Sequence, residues 1–299
     1  MLVYLDTKDL IDLFENSSPC TSDHFNKLLK ANGHELVLSF LNVLEISAPL
    51  LSHHSKTNVM RLLNTIESFP IKYIAGICKS ELSEAYRAFR KGREYEQILP
   101  FVRRFDETAE DGGTPPTKLF INFGLADAVF MLWTEDPSIF SGYKRHTDLL
   151  RSIIDADRSL INQPSLRENF VKTIGLHLQI ERMTIPGSIL RPFAEWIFDK
   201  PERCPSIRLG YEVYHKLVKN TGDIPKDGDI PDLGHLSCVP YVDFITLDRR
   251  MCSYANQVSI ALGFKHKTKI YKKAEELIAA ISSGDYNSSD ESVHTKSSF

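Results

Sequence analysis

No uncharged stretch in this chain approaches the roughly 20 residues needed to cross a bilayer. The opening MLVYLDTKD has neither the basic lead nor the small-residue cleavage site of a secretory leader. These absences exclude an ordinary membrane-spanning helix and predict a cytoplasmic location. C-x-x-C pairs are also missing. The five cysteines, Cys20, Cys78, Cys204, Cys238 and Cys252, are odd in number and widely scattered, which predicts a reducing compartment and no structural zinc. Charge of one sign is not in strong excess: the net value of -3 creates no global field, so a nucleic-acid surface would have to be a local basic patch. Internal repeats and heptads are absent too. What is present is 299 residues with 42% hydrophobic content, enough to bury a sizeable core in one large domain or two small ones.

Periodicity gives the organisation. Leu2 to Leu5 reads as a short strand, and Leu10, Ile11, Leu13 and Phe14 follow at helical spacing until Ser17-Ser18-Pro19 breaks the pattern. A helix from Asp23 stops at Asn32-Gly33, ahead of a strand over Leu36 to Phe40 and a helix over Asn42 to Leu51. Phe69 to Ile74 predicts a third strand. From Cys78 to Asn220 helical periodicity dominates, with about six helices and a capping box at Ser165 to Glu168. The α/β pattern returns after the loop Thr221 to Pro231: a short helix from Asp232, a strand over Asp243 to Leu247, a helix from Arg249 to Leu262, an edge strand at Lys269 to Lys272 and a helix over Ala274 to Ile281. The expected fold is α/β, a Rossmann-like parallel sheet flanked by helices and interrupted by an all-α insertion. The boundaries are 1–77 and 222–281 for the two halves of the core and 78–221 for the insertion. A Ser- and Asp-rich tail, 282–299, is expected to be disordered.

The chemistry lies in acids near the two ends of the chain. Asp6 and Asp248 each follow an apolar strand directly, and open parallel sheets bind ligands at the carboxyl ends of their strands. Glu45 sits on the helix after the second strand, with Asn42 one turn earlier on the same face. Asp232 opens the helix before the last core strand, and His235 is one turn on. Asp243 begins that strand. Clustered carboxylates repel and are costly to desolvate, so such a group persists mainly around a divalent cation. Oxygen ligands suit Mg²⁺ or Mn²⁺ better than zinc.

Three segments carry a resemblance: Tyr4-Leu5-Asp6-Thr7-Lys8-Asp9-Leu10-Ile11-Asp12-Leu13, Leu41-Asn42-Val43-Leu44-Glu45-Ile46, and Asp232 with Phe244-Ile245-Thr246-Leu247-Asp248-Arg249-Arg250. Together they resemble a PIN-domain nuclease, a family with a Rossmann-like parallel sheet and an acidic metal site. The resemblance implies that Asp6, Glu45, Asp232 and Asp248 are the catalytic metal ligands and that Thr246 supports them by hydrogen bonding. Asp243 is an additional acid, either an outer metal ligand or a structural one. Lys8 stands where the family usually has Asn. The implied activity is Mg²⁺- or Mn²⁺-dependent endonucleolytic hydrolysis of phosphodiester bonds, in RNA rather than DNA. The alternatives are a catalytically inactive PIN-like scaffold that binds a partner protein through its helical insertion, and a phosphatase of small phosphoesters.

Plainer readings stand beside these. Asp6 and Asp232 are also natural helix caps, and Asp229 competes with Asp232. His235 is either a support for the site or a satisfied, partly buried imidazole. Arg87, Arg90, Lys91 and Arg93, interleaved with Tyr86, Phe89 and Tyr95, form either a weak nucleic-acid track or a solvated charged helix, since Glu81, Glu84, Glu94 and Glu96 dilute them. His53-His54 reads as surface. No membrane partner is expected, and the pattern leaves the oligomeric state open.

Overall fold

The computed structural model describes residues 1–15, 21–48, 56–102, 124–135, 153–158, 166–222, 226, 228–264 and 268–284. Its centre is a six-stranded sheet in the order β4-β3-β2-β1-β5-β6. The strands are β1 (Leu2–Tyr4), β2 (Glu35–Ser39), β3 (Ile71–Ile74), β4 (Phe101–Val102), β5 (Phe244–Thr246) and β6 (Lys269–Tyr271). β1 pairs in parallel with both β2 and β5, β2 with β3, and β5 with β6. The sheet is mixed rather than wholly parallel, because β4 pairs antiparallel with β3. β4 comes from the segment expected to be all-helical. Two residues are too few for a period-2 pattern to register against the surrounding helices.

Side chains alternate across this sheet, and both faces are covered, as parallel strands require. On one face Val3, Leu5, Leu36, Leu38 and Phe244 pack with helices α1 (Thr7–Phe14), α2 (Ser22–Asn32), α4 (Lys56–Glu67) and α12 (Ala274–Ser283). On the other, Tyr4, Val37, Ile74 and Ile245 meet α11 (Arg249–Leu262) and α9 (Pro205–Lys219) through residues such as Leu209, Val213 and Met251. Local signals terminate the elements as the sequence suggests: α2 ends at Gly33, whose φ of 63° is the left-handed conformation that glycine adopts without strain.

The helical segment has a third cluster of its own. Here α5 (Ile77–Lys91), α7 (Leu166–Ile180) and α8 (Gly187–Asp199) bury Leu82, Phe170, Ile174, Phe193 and Ile197. α9 belongs to both layers: Ile207 and Tyr211 face this cluster while Leu209, Val213 and Leu217 face the sheet. α6 (Leu125–Glu135) packs its Leu125, Ala126, Ala128 and Val129 into the first cluster, and Glu67 of α4 accepts the Leu125 amide at 2.9 Å. Glu168 is paired with Arg191 of α8 at 2.8 Å, while Ser165 of the expected capping box lies outside the described residues. His53-His54, Cys20 and the tail beyond 284 also lie outside them.

One buried acid joins the layers. Glu81 on α5 is fully buried, and its carboxylate accepts the amides of Ser206 (2.8 Å) and Ile207 (3.3 Å) at the start of α9 and the hydroxyl of Tyr241. Burial pushes this carboxyl up from 4.5 to about 7, against the downward pull of those donors. The folded chain therefore holds the proton more tightly than the unfolded chain. The stability this group contributes is complete below the unfolded value and is lost as pH rises through about 7. The unfolding free energy is expected to fall between about pH 5 and pH 8, with up to about 3 kcal/mol of that drop from Glu81. Urea titrations across this range should show a flatter profile in Glu81→Gln; an identical slope would remove Glu81 as the source.

Candidate active site

The acids meet where the chain's two ends are stitched together. Asp6 lies two positions beyond β1, at the N-cap position of α1 but with no side-chain cap bond, while its own amide donates to Thr246 Oγ1 at 2.8 Å, the last residue of β5. Two positions further on, Asp248 caps α11 and accepts the Met251 amide at 2.5 Å. The pairing of β1 with β5 thus places both acids at the same carboxyl edge of the sheet.

Glu45 reaches this edge from α3 (Phe40–Ser47). The helix starts with a reciprocal capping box: Ser39 Oγ accepts the Asn42 amide at 3.2 Å and Asn42 Oδ1 accepts the Ser39 amide at 3.0 Å. Asn42 is fully buried, and its Nδ2 donates to the Leu5 carbonyl (3.2 Å) and to Thr7 Oγ1 (3.1 Å), so one side chain ties β1, α1 and α3 together. The Thr7 hydroxyl in turn donates to Glu45 Oε2.

Asp232 and His235 arrive on α10 (Asp229–His235), which packs against α3 closely enough that a Cβ on Gly234 would lie 2.6 Å from Leu41 Cδ2. His235 is 1% exposed. Its Nε2 lies 2.9 Å from Glu45 Oε2 and 3.7 Å from Asp6 Oδ1, and its Nδ1 lies 2.5 Å from the Tyr4 hydroxyl, which also meets Ser39 Oγ at 2.8 Å. Asp232 is not the cap of its helix. That position is Gly228, with Asp232 one turn inside.

The electrostatics show that the acids feel one another. Burial raises the Asp6 carboxyl, His235 lowers it, and Glu45 raises it again. Asp232 is pushed up to about 7, first by burial and then by repulsion from Asp248 and Asp6, with Glu45 adding to it and His235 opposing. For His235, burial lowers the imidazole value, but the bond and charge of Glu45 with the charges of Asp6 and Asp232 outweigh it, and the net direction is up.

Two predicted residues are not part of this group. Asp243 precedes β5, at the opposite end of the strand from Asp248 and roughly 16 Å away along extended chain. It is a structural acid there: Oδ2 accepts the Leu2 amide at 2.6 Å, while its own amide donates to the Leu2 carbonyl at 2.9 Å. Asp229 is fully buried in an ion pair with Arg250 and accepts the Lys226 amide at 2.8 Å, so it anchors α10. Of the basic stretch, Arg87 and Arg93 both pair with Glu84, at 2.8 and 2.5 Å, and Arg93 also pairs with Glu96. Arg90 reaches the Tyr86 hydroxyl at 3.4 Å, and Lys91 is exposed in the last turn of α5, where a cation suits the helix dipole. This helix end is largely self-neutralised.

Two site residues escaped the sequence reading. Asp9 lies one turn after Asp6; burial pushes it up to about 6, with Asp6 adding repulsion and the Thr246 hydroxyl and Ala274 amide opposing. Its i,i+3 spacing was a usable signal. Tyr4 reads as one more apolar strand residue, and nothing local marks its buried hydroxyl as a partner of His235.

The donor set is chemically suited to a hard divalent cation: carboxylate oxygens, two of them raised first by burial and then by their acidic neighbours. Among the described residues no three His, Cys, Asp or Glu side chains close around one point as a finished metal cage. Comparison with known proteins adds nothing to this geometry, because no family model, curated protein or solved structure matches the chain.

Asn42→Ala would leave the Ser39 amide and the Leu5 carbonyl without their partner in a buried setting. The expected loss is about 2–4 kcal/mol of unfolding free energy, measured by denaturant titration. A loss below about 0.5 kcal/mol would mean that Asn42 does not hold the three elements together.

Proposed function

We propose that the chain is a PIN-like, metal-dependent nuclease that hydrolyses phosphodiester bonds, in RNA ahead of DNA. One observation carries the reading: Asp6, Glu45, Asp232 and Asp248, drawn from both ends of the chain, lie toward the carboxyl ends of the parallel strands of a mixed sheet, and Asp6 and Asp232 are raised in part by the charges of the others. The strand order, with β1 between β2 and β5, supports the same architecture. The preference for RNA rests on the resemblance alone.

In this reading Asp6, Asp232 and Asp248 hold Mg²⁺ or Mn²⁺, with Glu45 at the rim. When bound, such an ion lowers the pKa of its water and offsets charge on a phosphoryl oxygen. The chain supplies placement. Asn42 and Thr7 fix Glu45, the Asp6 amide bond to Thr246 aligns the two strand ends, and His235 neutralises part of the acidic repulsion.

A second reading, a non-catalytic scaffold, is favoured by one contact. Glu45 Oε2 already receives both the Thr7 hydroxyl and the His235 ring, so this acid is satisfied without a cation.

Millimolar Mn²⁺ is expected to raise the melting temperature, since a ligand of the folded state alone must stabilise it. Labelled RNA should be cleaved in the same buffer. Asp6→Asn and Asp248→Asn should each lower cleavage at least about 100-fold and abolish the Mn²⁺ shift while the apo protein stays folded, because Asn caps a helix about as well as Asp. Unchanged cleavage in either variant sinks the nuclease reading. A Mn²⁺ shift without cleavage of RNA or DNA leaves the scaffold.

A further inference from the structure

The Tyr4 hydroxyl is the middle of a buried chain of hydrogen bonds whose direction is set by its far end. It meets Ser39 Oγ at 2.8 Å on one side and His235 Nδ1 at 2.5 Å on the other. Tyr4 and His235 are both buried. Two backbone groups with fixed roles orient the first link. The Leu5 carbonyl can only accept, so the Asn42 atom 3.2 Å from it is the amide nitrogen; the Ser39 N–H can only donate, so the atom 3.0 Å from it is Asn42 Oδ1. Ser39 Oγ therefore lies 3.0 Å from an oxygen that has no hydrogen to offer, and its own hydrogen goes there.

Each hydroxyl has one hydrogen and passes the requirement on. With the Ser39 hydrogen on Asn42, the Tyr4 hydrogen goes to Ser39 Oγ. With the Tyr4 hydrogen spent, the contact to His235 is made by Nδ1–H donating to the phenolic oxygen. The reverse direction, from Ser39 through Tyr4 to Nδ1, gives up the Ser39 bond to Asn42. The Cys238 thiol also lies near the Tyr4 hydroxyl, but sulfur is a weak acceptor and does not compete.

Nδ1 thus holds its proton toward Tyr4, and Nε2 faces the acids, 2.9 Å from Glu45 Oε2 and 3.7 Å from Asp6 Oδ1. Two bare lone pairs repel at 2.9 Å, so the line between Nε2 and Glu45 holds something electropositive, a proton or a metal ion. A proton offsets one charge among four carboxylates; a divalent ion offsets two. The surroundings suit the ion. Metal-ligating imidazoles characteristically donate their far N–H to an oxygen that fixes tautomer and ring orientation, and Tyr4 supplies that oxygen. Neighbouring ligands of a six-coordinate ion with bonds of about 2.1 Å lie about 3 Å apart, close to the 2.9 Å between Nε2 and Glu45 Oε2. Among the described residues no third such side chain closes on the same point, so an ion there keeps water in its remaining positions.

We propose that His235 is a nitrogen ligand of the cation at this site, oriented by Tyr4, and that the site therefore takes Mn²⁺ in preference to Mg²⁺. Mg²⁺ dehydrates reluctantly and keeps to oxygen, whereas first-row transition ions accept imidazole. His235 thereby moves from beside the ion into its shell, and this step rests on the metal site proposed above.

The test uses the full-length chain with Mn²⁺ and Mg²⁺ separately. Titration calorimetry should give one Mn²⁺ per chain, bound at least about tenfold tighter than Mg²⁺. Pulsed electron paramagnetic resonance of that Mn²⁺ complex should show coupling to an imidazole nitrogen. His235→Gln should remove the coupling and lower the preference for Mn²⁺ at least about fivefold. Tyr4→Phe keeps the ring and loses only the hydroxyl; it should retain the coupling and weaken Mn²⁺ binding about tenfold, with Mg²⁺ affected less. Mn²⁺ bound without nitrogen coupling overturns the ligand assignment, as does coupling that survives in His235→Gln or equal affinity for the two ions. Unchanged Mn²⁺ affinity in Tyr4→Phe overturns the positioning role of Tyr4. Should His235→Gln fail to fold, the unmodified chain's spectrum and Tyr4→Phe decide. All these outcomes leave the metal-dependent nuclease reading standing, whereas no binding of either ion removes both.

Discussion

Everything else in this molecule depends on β1 lying between β2 and β5. The register Val3 to Phe244 and Tyr4 to Ile245 joins positions separated by most of the chain. Closing so long a loop costs entropy that grows only logarithmically with its length. A helical segment of any size can therefore be held between the two halves at little extra cost, provided the strands on either side bury enough apolar surface. They do: Val3, Tyr4, Leu36, Val37 and Ile245 are all fully buried. The Asp6 amide to Thr246 bond then fixes the register at the point where it matters, because a slip of one residue would turn every side chain of β1 to the other face.

That closure sets up an electrostatic problem. Bringing Asp6, Glu45, Asp232 and Asp248 to one edge concentrates negative charge in a partly desolvated place, where burial first and mutual repulsion second push Asp6 and Asp232 upward. The fold supplies one partial answer in His235, buried between Tyr4 and Glu45. An imidazole can neutralise at most one unit of charge, so the remaining imbalance is the physical basis for expecting a cation. The same imbalance, with Glu81 between the layers, makes the ion-free protein better suited to mildly acidic solution than to alkaline solution.

Legibility in the sequence followed the range of the interactions. Short-range signals were decisive for the strands before Asp6 and Asp248, for the stop at Gly33 and for the edge strand at Lys269, since each rests on neighbours within a few residues. Glu45 was legible because a carboxylate on an otherwise apolar helix demands a partner. Asp243 stayed open between outer ligand and structural acid, because the sequence shows that an acid adjoins a strand but not at which end the ligand edge lies. Once β1 and β5 pair, its position at the amino end is settled. Tyr4 and β4 were illegible for a common reason: their meaning comes from partners far along the chain, His235 for one and β3 for the other. The basic helix stayed open between two readings. Composition counted its cations without showing that Glu84 takes two of them.

The two outer strands have a consequence beyond the site. β4 contributes only two residues against β3, and β6 only three against β5, with Lys269 and Lys272 at its ends. Open strand edges invite a second chain to add its own hydrogen-bonded row, and short or lysine-flanked edges are poor templates for that. A protein that must keep a strongly parallel, apolar sheet while its halves wait for each other during synthesis is exposed to such pairing. The short margins of this sheet are therefore poor templates for such pairing, whatever happens at the acidic edge.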